Sequence, residues 1–240
     1  MGETWQDICR VCGYDLVIVA RRKDLLEELK ADLKTEVKIE VLDISNEENC
    51  IQLFEENRNI DILINNAGFG DFGAFDKTDL HKELSMIDTN VKATHILTKL
   101  YLTEMKKKNC GHILNVASIA GFMSGPLMAT YYATKNYVVS LSKAINKELQ
   151  KAGSKVHVSV LCPGPVNTNF NNVANVRFSL KGLSSEYVAK YAIDKMLKNK
   201  KVIIPGNMMK LIYLGNKISP SCISLEIAYH SQKRKNQTTP

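Results

Sequence analysis

Six short runs of aliphatic and β-branched residues, Leu16–Ala20, 37–42, 60–64, 112–116, Val156–Leu161 and 202–204, recur along the chain with helical patterns between them. Each run is too continuously apolar for a strand with one wetted face. The intervening segments 24–33, 47–57, 80–105, 132–150 and Ser185–Leu197 carry the apolar spacing of helices that bury one side. Strand and helix alternate throughout. That order predicts an α/β fold whose parallel sheet is covered on both faces and joined by right-handed crossovers. No linker, repeat or low-complexity stretch interrupts it, so residues 1–240 read as a single domain.

The opening of the chain departs from this rhythm. Trp5, Ile8, Cys9 and Cys12 stand at helical spacing, and Gly13 suits the C-terminal cap of a helix over residues 3–12. The chain thus begins on a helix where a doubly wound sheet normally begins on a strand and a glycine-rich turn.

Charge narrows the partners. The 32 Lys and Arg exceed the 25 Asp and Glu by seven. These positive residues gather at Lys106-Lys107-Lys108, between Lys195 and Lys201, and in a basic tail at 231–240, without the interleaved aromatics that stack bases. Nucleic acid is therefore not an expected partner. No stretch approaches the roughly 18 apolar residues of an integral membrane span, and the N-terminus lacks the basic-then-apolar pattern of a signal peptide. Six scattered cysteines in a chain of this length do not suggest a disulfide framework. The expected location is the cytoplasm.

Chemistry concentrates in a few places. Tyr131 and Lys135 are four apart, hence on one helix face. A phenol with a reference pKa of about 10 exchanges protons poorly at neutral pH unless a cation stands near it, and a lysine one turn away supplies that cation. Ser118, beyond the run at 112–116, would hold a substrate oxygen beside the phenol. Asn65-Asn66-Ala67-Gly68 follows the run at 60–64, Asn90 lies in the next helix, and Pro163-Gly164 follows the run ending at Leu161. All lie at or beyond strand carboxyl ends or on the helices that follow, where open α/β sheets bind ligands. The histidines show no metal-ligand spacing, and Cys9 and Cys12 have no second pair, so no metal site is expected. No Gly-x-Ser-x-Gly elbow is present for a hydrolase.

Together these residues resemble the short-chain dehydrogenase/reductase family, whose marks occur here in order over roughly residues 2–205. The resemblance implies a Rossmann-type fold and an oxidoreductase that interconverts a ketone or aldehyde and a secondary alcohol. Tyr131 would be the general acid or base, Lys135 would lower its pKa and bond the nicotinamide ribose, Ser118 would orient the substrate oxygen, and Asn90 would hold a water in a proton relay. Cofactor contacts would come from Gly2, Arg21, Asp43, Asn65, Ala67, Gly68, Lys135, Pro163, Gly164 and Val166. Arg21 stands where an acid would select NAD(H), so NADP(H) is favoured. Gly68 also has a plainer reading, turn geometry alone.

Gly2, Gly13 and Tyr14-Asp15 fit the end of the family's glycine-rich loop and the turn after its first helix, which makes the fold N-terminally incomplete: the first strand and most of the loop would be missing. Two explanations stay open, an internal methionine of a longer frame or a shortened relative. The second would suit a different function, a non-catalytic nucleotide-sensing or interaction protein. The segment from about 165 to 183 reads as a substrate lid. The apolar stretch from about 206 to 218, next to Lys210 and Lys217, reads as a helix packed on the sheet, a substrate gate, a subunit contact or a weak interfacial helix. Its setting after 202–206 resembles enzymes that act on 3-oxoacyl or steroid ketones. A homodimer or homotetramer would be built on the long helices.

Overall fold

The computed structural model describes residues 13–31, 35–168, 170, 174 and 182–236. The predicted helix over 3–12, with Gly2, Cys9 and Cys12, lies outside them. Gly13 has φ of 74°, the left-handed conformation expected of a cap position.

Strand β1 (Leu16–Ala20) leads through helix α1 (Lys23–Ala31) to β2 (Val37–Val41), and the two strands pair in parallel. Helix α2 (Glu47–Glu56) follows, started by Asn46, whose side chain accepts from the Asn49 amide at 3.2 Å, with Glu47 and Glu48 in its first turn. Four further strands, β3 (Ile62–Asn65), β4 (Gly111–Val116), β5 (Val156–Leu161) and β8 (Val202–Ile203), form a parallel sheet in the order β3-β4-β5-β8. The remaining short strands, β6 (Val166–Asn167) and β7 (Leu183–Ser184), pair with each other and close the base of the segment read as a lid. Among the described residues the β1-β2 pair and the four-stranded sheet are separate ladders.

Helices cover both faces, giving the doubly wound, Rossmann-like parallel arrangement. On one side, Ile113 of β4 and Val156 and Val158 of β5 pack against Cys50, Leu53 and Phe54 of α2 and Leu97, Tyr101 and Met105 of α4 (Thr94–Lys108). On the other, Leu114 and Val116 of β4, Leu161 of β5 and Ile203 of β8 pack against Val188, Ala189, Ala192, Ile193 and Met196 of α6 (Ser185–Leu197). Side chains of β4 are thus buried on both faces, each large one contributing about 2–3 kcal/mol of apolar transfer. This two-sided burial is why the sequence runs apolar without alternation.

Two differences from the sequence reading concern helices. The segment expected as one helix from 80 to 105 is α3 (Leu80–Ile87), a π-helical stretch (Asp88–Ala93), then α4. The wide turn carries Asn90, whose amide group is held by the backbone of Phe69, a long-range tie that apolar periodicity does not encode. The predicted basic tail at 231–240 is not a tail over its first part: α8 (Ser221–Asn236) continues to Asn236, and Gln232 within it is 2% exposed. The preceding helix, α7 (Asn207–Ile218), matches its predicted bounds closely.

Candidate active site

The carboxyl ends of β3, β4 and β5 and the first turns of α5 (Ala129–Lys151) bring the sequence-marked residues together. Tyr131 and Lys135 are both buried on α5, with the Lys135 Nζ 5.8 Å from the Tyr131 ring centroid. That ammonium donates to the carbonyl of Val116, the last residue of β4, at 3.0 Å. Ser118, two residues further on, has extended backbone and starts a short 3-10 turn (Ile119–Phe122), its hydroxyl accepting from the Ala120 amide at 3.2 Å. The Ile119 amide donates to Pro163 O at 2.9 Å, binding the loop after β4 to the one after β5.

Electrostatics at this point are governed by burial. Desolvation pushes the Tyr131 phenol well above its usual range; a side-chain hydrogen bond with Ser118 pulls the other way, and the neighbouring Tyr132 adds to the rise. Desolvation lowers the Lys135 ammonium to about 8, partly offset by Cys162. The Lys135 charge is not among the causes of this shift. The phenol is held protonated, with Ser118 as the group that favours its ionised form, and Lys135 remains a cation at neutral pH.

Asn90 is 1% exposed, and its side chain is engaged on both ends: Oδ1 accepts from the Phe69 amide at 3.0 Å, and Nδ2 donates to Phe69 O at 2.9 Å and Thr134 Oγ1 at 3.1 Å. Thr134 in turn donates to Tyr131 O at 2.7 Å. The amide so fixes the loop after β3 against α5. At Gly68 an added Cβ would stand 2.8 Å from Asn90 Oδ1 and 3.2 Å from Lys135 Nζ, so glycine is required there by close approach and not by the turn. Gly70 is likewise confined, its Cβ position 2.9 Å from Phe170 and 3.2 Å from Tyr131.

Asn65 behaves differently from its sequence reading. Its Nδ2 donates to Asn115 Oδ1 at 2.9 Å and to Thr98 Oγ1 at 3.1 Å, while Asn115 Nδ2 donates to Ser142 Oγ at 3.0 Å. All four residues are buried. The Asn65 side chain is thus committed to a polar ladder joining β3, β4, α4 and α5, which leaves only its backbone for a ligand. Ala67 and Gly68 are exposed beyond it.

Arg21 and Asp43, at the ends of β1 and β2, meet at 3.6 Å. Burial raises the Asp43 carboxyl, but the Ser45 amide and hydroxyl and the Arg21 charge together hold it below the usual carboxylate range. Arg21 remains mostly exposed, so its guanidinium can serve a second anion. Pro163 is buried, Val166 packs against the α6 side of the core, and an added Cβ at Gly164 would run into the side chain of Met209 on α7. Gly2 lies outside the described residues.

Tyr131 is walled by Met86, Ala120 and Met128, with Phe69, Phe72, Tyr132 and Phe170 packed around them. Several supporting residues carried no sequence signal: Thr134, Asn115 and Ser142; Asn136, whose amide donates to the carbonyls of Ala120, Met123 and Tyr132; and Gln232, which donates to Tyr132 Oη at 2.7 Å. Among these, Thr134 and Asn136 flank the marked Lys135.

An open parallel sheet with a buried Tyr-Lys pair and a serine at the carboxyl ends of its central strands is the arrangement of a nucleotide-dependent oxidoreductase of the doubly wound class. Comparison with known proteins agrees. The short chain dehydrogenase family profile matches residues 7–177. The chain is 32% identical over 177 residues, 72% of each chain, to an uncharacterized oxidoreductase of Staphylococcus saprophyticus. It is 36% identical over 167 residues, 67% of this chain and 66% of the other, to an NADP-dependent 3-hydroxy acid dehydrogenase of Escherichia coli. Among solved structures it resembles a short-chain dehydrogenase from Sphingobium yanoikuyae in complex with NADPH, at 26% identity and a TM-score of 0.77, over 89% of this chain and 87% of that one. The chain belongs to the short-chain dehydrogenase family, and it is an oxidoreductase of that kind.

Proposed function

We propose that this chain is an NADP(H)-dependent oxidoreductase interconverting a carbonyl and a secondary alcohol on an apolar small molecule of 3-oxoacyl or steroid-like character. The observation that carries the reading is the buried Tyr131 phenol with Lys135 beside it, inside an apolar wall, and with Ser118 favouring its ionised form. The nicotinamide, when bound, supplies or accepts the hydride. The chain's own residues do the rest. Tyr131 donates its proton to the substrate oxygen in reduction and takes it back in oxidation, a contribution of roughly 10²–10⁴-fold for a positioned acid or base. Ser118 holds that oxygen and stabilises the phenolate that reduction leaves behind. Lys135 places a cation near the same point and presents donors to a ribose. Asn90 keeps the loop at Gly68 and Phe69 in place.

The residues fit such a cofactor: Gly68 leaves open the space in front of Asn90 and Lys135 that any side chain would fill, and Arg21 offers its exposed guanidinium at a strand end. Arg21 favours a 2′-phosphate, with Asp43 orienting it. The NADP-dependent E. coli relative supports the same preference. Ala67, Gly68, Pro163, Gly164 and Val166 line the course expected for the dinucleotide. A homodimer or homotetramer fits the outer side of α3 and α5, where Phe75, Ile87, Val91 and Tyr137 line an apolar groove of about 420 Å³.

The test has two parts. Titration with NADPH and NADH, followed by cofactor fluorescence and thermal midpoint, should show preferential stabilisation by NADPH. Tyr131→Phe should then keep NADPH binding and lose at least about 100-fold in turnover of an apolar ketone; turnover near that of the parent protein would exclude Tyr131 as the acid.

A further inference from the structure

Helix α7 is apolar on two opposite sides. Its inner side holds the body of the protein: Met209 is buried against Ala117, Val138, Val139 and Val160, the Tyr213 ring lies tilted against Phe122 with centroids 4.6 Å apart, and Asn216 donates to Phe122 O at 2.5 Å. Its outer side carries Met208, Leu211, Leu214 and Ile218, which are 54, 69, 55 and 85% exposed. A helix that only packs on a sheet has no use for the second stripe. The exposed apolar surface continues on α8 with Ile223 and Ile227 at 52 and 64%.

Charge says what covers it. From residue 207 to 240 the sequence holds five basic residues, Lys210, Lys217, Lys233, Arg234 and Lys235, against one acidic, Glu226. Lys210 and Lys217 are exposed and stand two turns apart on one flank of the stripe, between the outer and inner sides. The Lys210 ammonium lies against Asn207 Oδ1 and the Tyr191 ring, and from this flank the long aliphatic stems can run along the apolar surface and bring both ammonium groups to a layer of anions. A second copy of the chain would bring the same positive flank against this one. We infer that α7 and the adjoining α8 lie on an anionic lipid surface, with the outer stripe in the acyl boundary and the lysines among the headgroups. The contact is peripheral, since no helix among the described residues is long and apolar enough to cross a membrane.

The inference stands apart from the proposed reaction, though it bears on it. Met209, on the inner side of the same helix, covers Gly164 in the loop after β5. A lipid surface held by α7 would therefore lie next to the candidate site, where an apolar substrate would enter from the bilayer.

The experiment is sedimentation of the full chain with vesicles of phosphatidylcholine alone and of phosphatidylcholine with 30% phosphatidylglycerol, with no cofactor or substrate present. Strong binding to the anionic vesicles only, falling steeply as salt is raised, is expected. Lys210→Glu with Lys217→Glu should weaken it by about fivefold or more per position. Leu211→Glu with Ile218→Glu should weaken it at least tenfold while leaving the thermal midpoint unchanged, since both side chains are already in water. Binding unaffected by either pair, or absent from anionic vesicles, overturns the inference. So does a dimer, seen by analytical ultracentrifugation, that the Leu211→Glu, Ile218→Glu variant dissociates, because a second copy would then be the occupant.

Discussion

At the scale of single residues the site is built from groups whose charge states are set by burial. Lys135 shows the consequence for stability. Its folded pKa of about 8 lies below the free lysine value of 10.5, so the cost of burying its charge is complete below pH 8 and is relieved as pH rises above it. Relative to Lys135→Met, the parent protein should gain about 1 kcal/mol per pH unit between pH 8 and 9.5 and almost nothing between pH 6 and 7. Urea unfolding of both proteins under reducing conditions gives this difference directly; a flat difference would show that the ammonium is solvated. The comparison removes the opposing effects of Cys50 and Cys162, whose thiols burial pushes up. Gly68→Ala makes a different point. Its methyl group would press on Asn90 Oδ1 and Lys135 Nζ, and overpacking of this kind costs about 1–3 kcal/mol. We expect that loss in urea, together with weaker NADPH binding, because both groups must move.

Elements are joined here as much by polar groups as by apolar ones. Asn115 accepts from Asn65 and Thr98 and donates to Ser142, so one side chain ties together β3, β4, α4 and α5. Asn115→Ala would leave three buried polar partners short and should cost about 2–4 kcal/mol, read from chemical denaturation. A loss under 1 kcal/mol would mean that water replaces the amide. This ladder also marks the limit of what the sequence discloses. The strands were legible because two-sided burial requires continuous apolar runs, and Tyr131, Lys135, Ser118 and Asn90 stood out because they follow one another in the order of the short-chain family's marks. Asn115 and Ser142 were not, since each lies inside an apolar run or helix and takes its meaning from partners 50 and 27 residues from Asn115. The π-helical stretch at Asp88–Ala93 escaped for the same reason, since the partner of its Asn90 is Phe69, 21 residues away. The docking of α8 through Gln232 onto Tyr132 spans 100 residues and has no local signature at all.

Across the whole molecule, the sheet of the described residues is divided. The β1-β2 pair with α1 has its own small cluster of Ile18, Leu26 and Val37 and reaches the large one through Val19 and the Glu40–Asn57 bond, whereas β3-β4-β5-β8 shares the large clusters with α2, α4, α5 and α6. Few buried contacts and a separate ladder are the conditions for local opening at low free energy. Amide hydrogen exchange in β1 and β2 should therefore be faster than in β4 and β5 by several orders of magnitude, and NADPH should slow it by bridging Arg21 to the main sheet. Equal protection in both ladders would show that they open as one unit.

The polar ladder has one more consequence, for how the chain reaches this structure. Strands as uniformly apolar as β4 and β5 offer little to distinguish a correct alignment from one slipped by a residue, because either face of the strand is at home in oil. The amide of Asn115 removes that ambiguity. A slip of one position would turn it toward α6, away from Asn65 and Ser142, and strand it unbonded among leucines and valines, at a cost of several kcal/mol. The same groups that hold the finished sheet together thus reject its nearest misfolded neighbours, so the folding chain is proofread at the strand whose side chains later support the Tyr131 site.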